Sequence, residues 1–578
     1  MLTLSLLVFS FGAVGFFYIK ASSPLSLIDG SDRPVAAATL FVPRRSPFSF
    51  SLLTQPEKLV AFAQSLEAPE QRQQTLREIE QARQHLIETI GLDKIGLDYE
   101  QAIQPWLGEE TTFAIVSADL DADGSNGEQP GYLIALEVAP NHQLEAREFL
   151  QLFWQQQALA GNVLGSEAIS GVRILSTSPA GSQSTRATAL VGGQFVLLAN
   201  DVRVLRRGIQ VAQTADNLAQ TLAYRQAATD LPKQRIALAR FDLDLLNDAG
   251  DDEASSSLNK SFTTVSIGLE RTGLIASALV PPAQSALDQR ENESVLGGKL
   301  AWTRGLTQPK QSTQPVEVLR LLPTDSDLAI ASHNLPHLKS ALITAGLSAE
   351  AMPALFRSVL SSSTLSPSQT GSSDDPWSWA TSEYALARVG GRPQDWILAV
   401  ERDQAGIAAL DKRAIAAGYS QSAITIEDTT ATVWSRLTTR RNTRKSASEL
   451  ETELLGLHMQ RGRYEIFANS LATMVNVLTA SEPAFNQDLP VQDSPAQDPP
   501  ASTSLVQSAK FKQAITPLAT PNQGYLYLDW PAIAPTLSRR FPLLNQVVAL
   551  SAPLSAHIDT VAATRQDEIV NLFAHFEQ

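Results

Sequence analysis

Asp119-Leu120-Asp121-Ala122-Asp123-Gly124 sets three carboxylates at alternate positions, with a glycine at the sixth. Calcium takes oxygen ligands at this spacing, and the glycine permits the sharp turn of a calcium loop. The twelfth position, where a bidentate Glu should close the site, is Pro130, and Glu128 stands two positions early. The flanks read as strands, whereas a calcium loop of this kind sits between helices. A solvated acidic hairpin loop therefore explains the segment better, and Asp119, Asp121 and Asp123 are carried forward as a weak calcium candidate.

His333 and His337 have the four-residue spacing of a helical metal pair, but Asn334, Leu335 and Pro336 lie between them, with no Glu in the required place. Proline starts helices rather than continuing them, so the two rings do not share a helical face. Arg436, Arg440, Arg441, Arg444 and Lys445 form the basic cluster, set among Thr, Asn and Ser in what reads as an exposed loop. No G-x-S-x-G elbow, phosphate loop or dinucleotide fingerprint occurs. The chain has no cysteine, which removes disulfides, thiolate metal sites and cysteine nucleophiles together. No catalytic residue and no cofactor is expected. A net charge of −15 repels phosphate backbones, so nucleic acid is not an expected partner. The tryptophans sit in apolar contexts and read as core.

The elements that would position such groups repeat. Val42 to Phe50 resembles Leu322 to Ile330, at 323 − 43 = 280, and Pro56 recurs as Pro336. Pro105-Trp106 recurs as Pro376-Trp377, at 376 − 105 = 271, which sets Phe113-Ala114-Ile115 on Tyr384-Ala385-Leu386. Tyr132 to Glu137 falls on Trp396 to Glu401, at 396 − 132 = 264, and Phe195 to Asn200 falls on Tyr464 to Asn469. Leu218, Gln220, Tyr224, Ala227 and Asp242 return as Leu505, Gln507, Phe511, Ala514 and Asp529, each 287 later. An ordered series of matches with a slowly drifting offset is the mark of a duplication. Phe113–Ala118 and Tyr132–Val138 predict a hairpin, Thr263–Glu270 and Gly273–Val280 a second, and Glu145 to Ala158 a helix. Gln71 to Ile90 puts Leu76, Ile79, Leu86 and Ile90 on one helical face.

Leu2 to Ile19 carries no charge and, at about 1.5 Å per residue, is long enough to cross a bilayer. The expected organisation is a transmembrane anchor over 1–20, a linker over 21–34, a first repeat domain over 35–306, a linker over 307–316 and a second repeat domain over 317–578. The expected fold class is α+β: an N-terminal transmembrane helix, then two tandem related domains with largely antiparallel sheets and covering helices.

Ser23-Pro24-Leu25-Ser26-Leu27, Ala37 to Pro43, Asp119-Leu120-Asp121 with Gly131-Tyr132-Leu133, and Phe153-Trp154-Gln155 together resemble an uncharacterised cyanobacterial family of membrane-anchored proteins that contain a domain of unknown function. The resemblance implies an envelope or thylakoid protein and carries no catalytic residues with it. The expectation is a single-pass membrane protein with its bulk in the periplasm or thylakoid lumen. Its partners are the membrane, through the N-terminal helix, and other proteins. Its role is that of a non-enzymatic scaffold or assembly factor. The alternative is a binding or carrier module for a lipid or other hydrophobic small molecule, and a large apolar cavity is the observation that would favour it.

Overall fold

Antiparallel strand pairing organises the chain in the computed structural model. It describes residues 24–31, 33–66, 77, 99–120, 129–178, 186–242, 262–279, 316–336, 338, 376–390, 395–426, 428–441, 448–485, 504–518, 520–540, 557–566 and 569–577. In the first half the strands are β1 (Phe48–Leu52), β2 (Leu107–Ser117), β3 (Gly131–Val138), β4 (Val163–Ile169), β5 (Val172–Ser178), β6 (Arg186–Val191), β7 (Phe195–Ala199), β8 (Ala237–Asp242), β9 (Phe262–Glu270) and β10 (Gly273–Leu279). Its helices are α1 (Pro56–Leu66), α2 (Tyr99–Ala102), α3 (Gln143–Leu159), α4 (Val202–Ala212) and α5 (Leu222–Asp230). The second half holds β11 (Ser326–His333), β12 (Glu383–Val389), β13 (Trp396–Glu401), β14 (Ser420–Ile426), β15 (Thr429–Arg441), β16 (Ser448–Arg461), β17 (Tyr464–Ala468), β18 (Gly524–Asp529), β19 (Ile558–Gln566) and β20 (Ile569–Phe576). With them go α6 (Gln404–Ala416), α7 (Leu471–Phe485), α8 (Ala509–Ile515) and α9 (Trp530–Arg540).

Strand neighbours run β4-β5-β6-β7-β3-β2-β1-β8-β9-β10 in the first half. They run β14-β15-β16-β17-β13-β12-β11-β18-β19-β20 in the second, the same order with every number raised by ten. The registers repeat as well. Phe50 faces Phe113, and Ile330, at 330 − 50 = 280, faces Leu386. Phe113 therefore corresponds to Leu386, at 386 − 113 = 273, rather than to Tyr384 as the sequence match has it. A two-residue slip leaves each side chain on its own face of the sheet, so alternation alone accepts it.

The two halves join where β10 pairs with β20, from Gly273 against His575 to Leu279 against Ile569. Leu238, Ser266 and Ser277 oppose one another across β8, β9 and β10, and Tyr525, Thr564 and Asn571 do so across β18, β19 and β20. Ser277 faces Asn571 across the seam, so corresponding residues meet there and a pseudo-two-fold axis passes between them. The Ser277 hydroxyl donates to Asn571 Oδ1 at 2.7 Å.

Alternating residues pack the two faces of the sheet, as a period of two requires. In β3, Leu133 and Ala135 meet Leu205 and Ile209 of α4, while Ile134 and Leu136 meet Phe149 of α3. In β13, Ile397 and Ala399 meet Met474 and Val477 of α7, while Leu398 and Val400 meet Ile407 and Leu410 of α6. Each such aliphatic burial is worth about 1.5–3 kcal/mol. Asp201 caps α4 by accepting the Arg203 N–H, and Asp403 caps α6 by accepting those of Ala405 and Gly406. Gly161 (φ 79°) and Gly418 (φ 88°) end α3 and α6 in the left-handed region and turn the chain into β4 and β14.

Several expectations are corrected. Among the described residues the architecture is mostly antiparallel and forms one 20-stranded sheet, in place of an α+β pair of domains behind a membrane helix. The physical reason is the seam, since β10 and β20 satisfy each other's edges. Leu2–Ile19, which carries the anchor expectation, lies outside the described residues. Among the described residues no helix is long and apolar enough to cross a membrane. The longest, α3, has 17 residues and includes Glu145, Arg147 and Glu148. The transmembrane anchor and the single-pass localisation in periplasm or thylakoid lumen are withdrawn on that finding. The basic cluster is not a loop throughout: Arg436, Arg440 and Arg441 lie on β15, while Arg444 and Lys445 lie outside the described residues. The helix expected over Gln71–Ile90 also lies outside them, apart from Arg77.

Candidate functional site

A groove of about 450 Å³ opens between α3 and the strands β4 and β5, lined by Arg147, Leu150, Gln151, Trp154, Gln155, Ala158, Leu164 and Leu175. The six α3 residues recur at three- and four-residue intervals, so they form one stripe of the helix. A neighbouring stripe, Ala146, Phe149, Phe153 and Gln157, is buried. Leu164 and Leu175 reach the groove from the sheet because Leu164 opposes Thr177, and Ser166 opposes Leu175, on one face of the β4–β5 pair. Leu152 and Leu159 of α3 and Val163 of β4 are exposed, Leu159 to 88%. Among the described residues β4 also lies at the end of the sheet, with β5 as its partner on one side.

The same position in the second half is built from other chemistry. Gly161 and Gly418 align the two helix ends at 418 − 161 = 257, which sets Asp411 on Trp154, Gln421 on Leu164, Thr432 on Leu175 and Trp434 on Thr177. The Trp434 indole donates to Asp411 Oδ1 at 2.9 Å. His458 Nε2 lies 3.2 Å from that same oxygen, and His458 Nδ1 lies 2.6 Å from Glu465 Oε1. Arg402 Nε sits 3.2 Å from Glu465 Oε2, near enough for an ion pair, although Oε2 has no partner in hydrogen-bond geometry. The imidazole lies between Trp434 and Phe467, with ring centroids at 4.9 and 5.3 Å. A buried imidazole between two carboxylates has the residue types of an acid–base relay, but here both nitrogens are spent on α6 and β17 and the ring is enclosed. It ties the helix to the sheet. In the first half the corresponding hydrogen bond is a neutral one, from the Trp154 indole to Thr188 Oγ1 at 3.0 Å.

A second pair of corresponding positions carries glutamates, buried in the first half and half-buried in the second. Glu110 accepts the backbone N–H groups of Ala37 and Ala38, at 2.8 and 2.6 Å, at the start of the 3-10 turn Ala37–Phe41. Burial holds its carboxyl above the ordinary value, and the two N–H groups oppose that rise. Its counterpart Glu383, at 383 − 110 = 273, instead accepts the Tyr464 hydroxyl at 2.7 Å and faces Arg463 at 3.3 Å.

Asp119, the first residue of the expected calcium loop, follows β2, and its Oδ1 accepts the Gln129 N–H at 3.4 Å. Leu120 donates to the Gln129 carbonyl and closes the hairpin. Asp121 and Asp123 lie outside the described residues. His333 Nε2 lies 3.9 Å from Glu383, and His337 lies outside the described residues. Among the described residues no three His, Asp or Glu side chains are gathered to hold a metal ion. Arg436 pairs across strands with Glu453 at 2.8 Å, which holds that carboxyl below its ordinary value, and its guanidinium lies over the Tyr419 ring. Trp106, Trp377 and Trp434 are fully buried, as their contexts suggest.

Fold and site together define a duplicated antiparallel-sheet protein that keeps an apolar surface groove in one half. The chain belongs to the family described as "Protein of unknown function (DUF3352)", whose profile matches residues 1–571. No curated protein matches it. A solved structure, "Structure of crystal form I of TP0453", matches at 8% identity over 46% of this chain and 89% of that one, with a TM-score of 0.23, too low to carry an argument.

Proposed function

We propose that this chain is a non-enzymatic binding or carrier module for a hydrophobic small molecule, held in the groove beside α3. The observation that carries this reading is the groove itself. Its volume, about 450 Å³, lies in the range of small-molecule sites, and its walls include Leu150, Trp154, Ala158, Leu164 and Leu175 beside Arg147, Gln151 and Gln155. Apolar side chains left beside such an opening lose the gain of burial until a ligand covers them. Native mass spectrometry of the full chain tests the reading. An adduct of small-molecule mass should accompany the protein and disappear from Ala158→Trp, which fills the groove. A bare chain, or an adduct that Ala158→Trp retains in full, counts against it.

A scaffold role is the second reading. It draws on β4, a terminal strand among the described residues that exposes Val163 and Leu164, and on the exposed Leu152 and Leu159 of α3. Terminal strands with apolar side chains offer backbone groups to another chain. Recovery of the bare chain alone in gentle pull-downs would weaken this reading.

A further inference from the structure

Resting on the carrier reading, we infer that the groove takes a single-chain amphiphile with a carboxylate head, the head lying at the Arg147 end and the chain running toward Ala158. Arg147 lines the groove one end of the α3 stripe away from Ala158. Eleven residues of helix separate them (158 − 147 = 11), about 16 Å of apolar wall.

A second cation lies toward the same end. The turn at Gly161 brings β4 back along α3 in the opposite sense, so Leu164 lies beside Ala158 and later β4 residues lie beside earlier α3 residues. From Leu164 to Ala168 a strand covers about 13 Å, which matches roughly nine residues of helix. Arg173 opposes Ala168 in the β4–β5 pair, on the face that carries Leu164 and Leu175. It therefore stands level with the first turns of α3, where Arg147 is. Neither arginine has an ion pair or hydrogen bond among the described residues, whereas Arg203, Arg206 and Arg207 of α4, on the opposite face of the sheet, are all paired.

Two unpaired guanidinium groups at one end of an apolar groove, on a chain of net charge −15, favour an anionic head at that end. A guanidinium binds a carboxylate through two parallel N–H donors. Gln151 and Gln155 add neutral donors along the groove. The second half lacks every part of this arrangement: Gln421 and Thr432 replace the two leucines, and Asp411 stands where Trp154 stands.

Calorimetric titration of the full chain with dodecanoate and with dodecanol separates head from tail. Dodecanoate should bind at least tenfold more tightly. Arg147→Gln with Arg173→Gln should remove that difference by lowering dodecanoate affinity to the level of dodecanol. Both arginines lie outside the core, and circular dichroism checks that the variant keeps its fold. Equal affinity for the two compounds, or a preference that survives the double variant, overturns the carboxylate assignment while the carrier reading stands. Binding of neither compound, or binding that Leu164→Gln with Leu175→Thr leaves unaltered, overturns the carrier reading itself.

Discussion

The first half places Trp154, Leu164, Leu175 and Thr177 where the second half places Asp411, Gln421, Thr432 and Trp434. The backbone around both sets has one strand order and one register. What differs is where the indole stands. On α3 it stands on the helix and lines the groove. On β15 it is buried in the sheet, and the helix answers with a carboxylate that also engages His458. The lesson is that a duplicated frame can free one copy for binding while the other is locked by polar contacts. α3 is also four residues longer than α6, one helical turn (17 against 13), which extends the groove wall.

The sharpest way to break this contrast is to cut the lock. Glu465→Leu leaves His458 Nδ1 and Arg402 facing a hydrocarbon, and removing one member of a buried pair should lower stability by about 3 kcal/mol. A denaturation midpoint equal to that of the parent chain would show that the His458–Glu465 contact carries no structural weight. Next in size, converting the groove to its counterpart with Leu164→Gln and Leu175→Thr should weaken binding of a hydrophobic probe at least tenfold, about 1.4 kcal/mol, with strand content by circular dichroism unchanged. In the first half, Thr188→Val removes only a neutral hydrogen bond from Trp154 and should cost about 1 kcal/mol. A loss as large as that of Glu465→Leu would erase the difference between the halves.

The smallest effect is one of pH. Burial raises the Glu110 carboxyl in the folded chain, so the folded state holds this proton more tightly than the unfolded state does. Its contribution to stability is full below the unfolded value of 4.5 and is lost as pH rises through the higher folded value. Between pH 4.5 and neutrality, Glu110→Gln should therefore flatten the pH dependence of stability relative to the parent chain. A steeper fall with pH in the variant would reverse the sign of the argument.

The duplication was legible because corresponding strands keep the alternation that their shared packing demands, as in Tyr132 to Glu137 and Trp396 to Glu401. The hairpins at Thr263 and Gly273 and the helix over Glu145 to Ala158 were legible for the same reason, and the structure has strands and a helix at those places. The single sheet was not. Pairing of β10 with β20 joins residues nearly 300 apart, and neither strand's pattern names its partner. For His458, the turn at Gly462 puts Glu465 within reach across the β16–β17 hairpin, a signal that spacing does carry. Asp411 arrives from α6 with no local sign. The groove could have been suspected from the i, i+3, i+4 recurrence of Arg147, Leu150, Gln151 and Trp154. The leucines that complete it come from strands whose facing only the β4–β5 register decides. The N-terminal apolar run drew an anchor reading from its length and lack of charge; it lies outside the described residues, among which no helix is long and apolar enough to cross a membrane.

At the seam, like positions meet antiparallel about Ser277 and Asn571, which is the geometry of an isologous dimer contact drawn inside one polypeptide. Covalent linkage makes that association first-order, so it persists at any dilution. Separately expressed halves should therefore behave as two sticky monomers, each able to meet its twin or its sister through the same row of backbone groups. Sedimentation at rising concentration should then show dimers of either half, and strictly monomeric halves would mean that the seam contributes little affinity of its own.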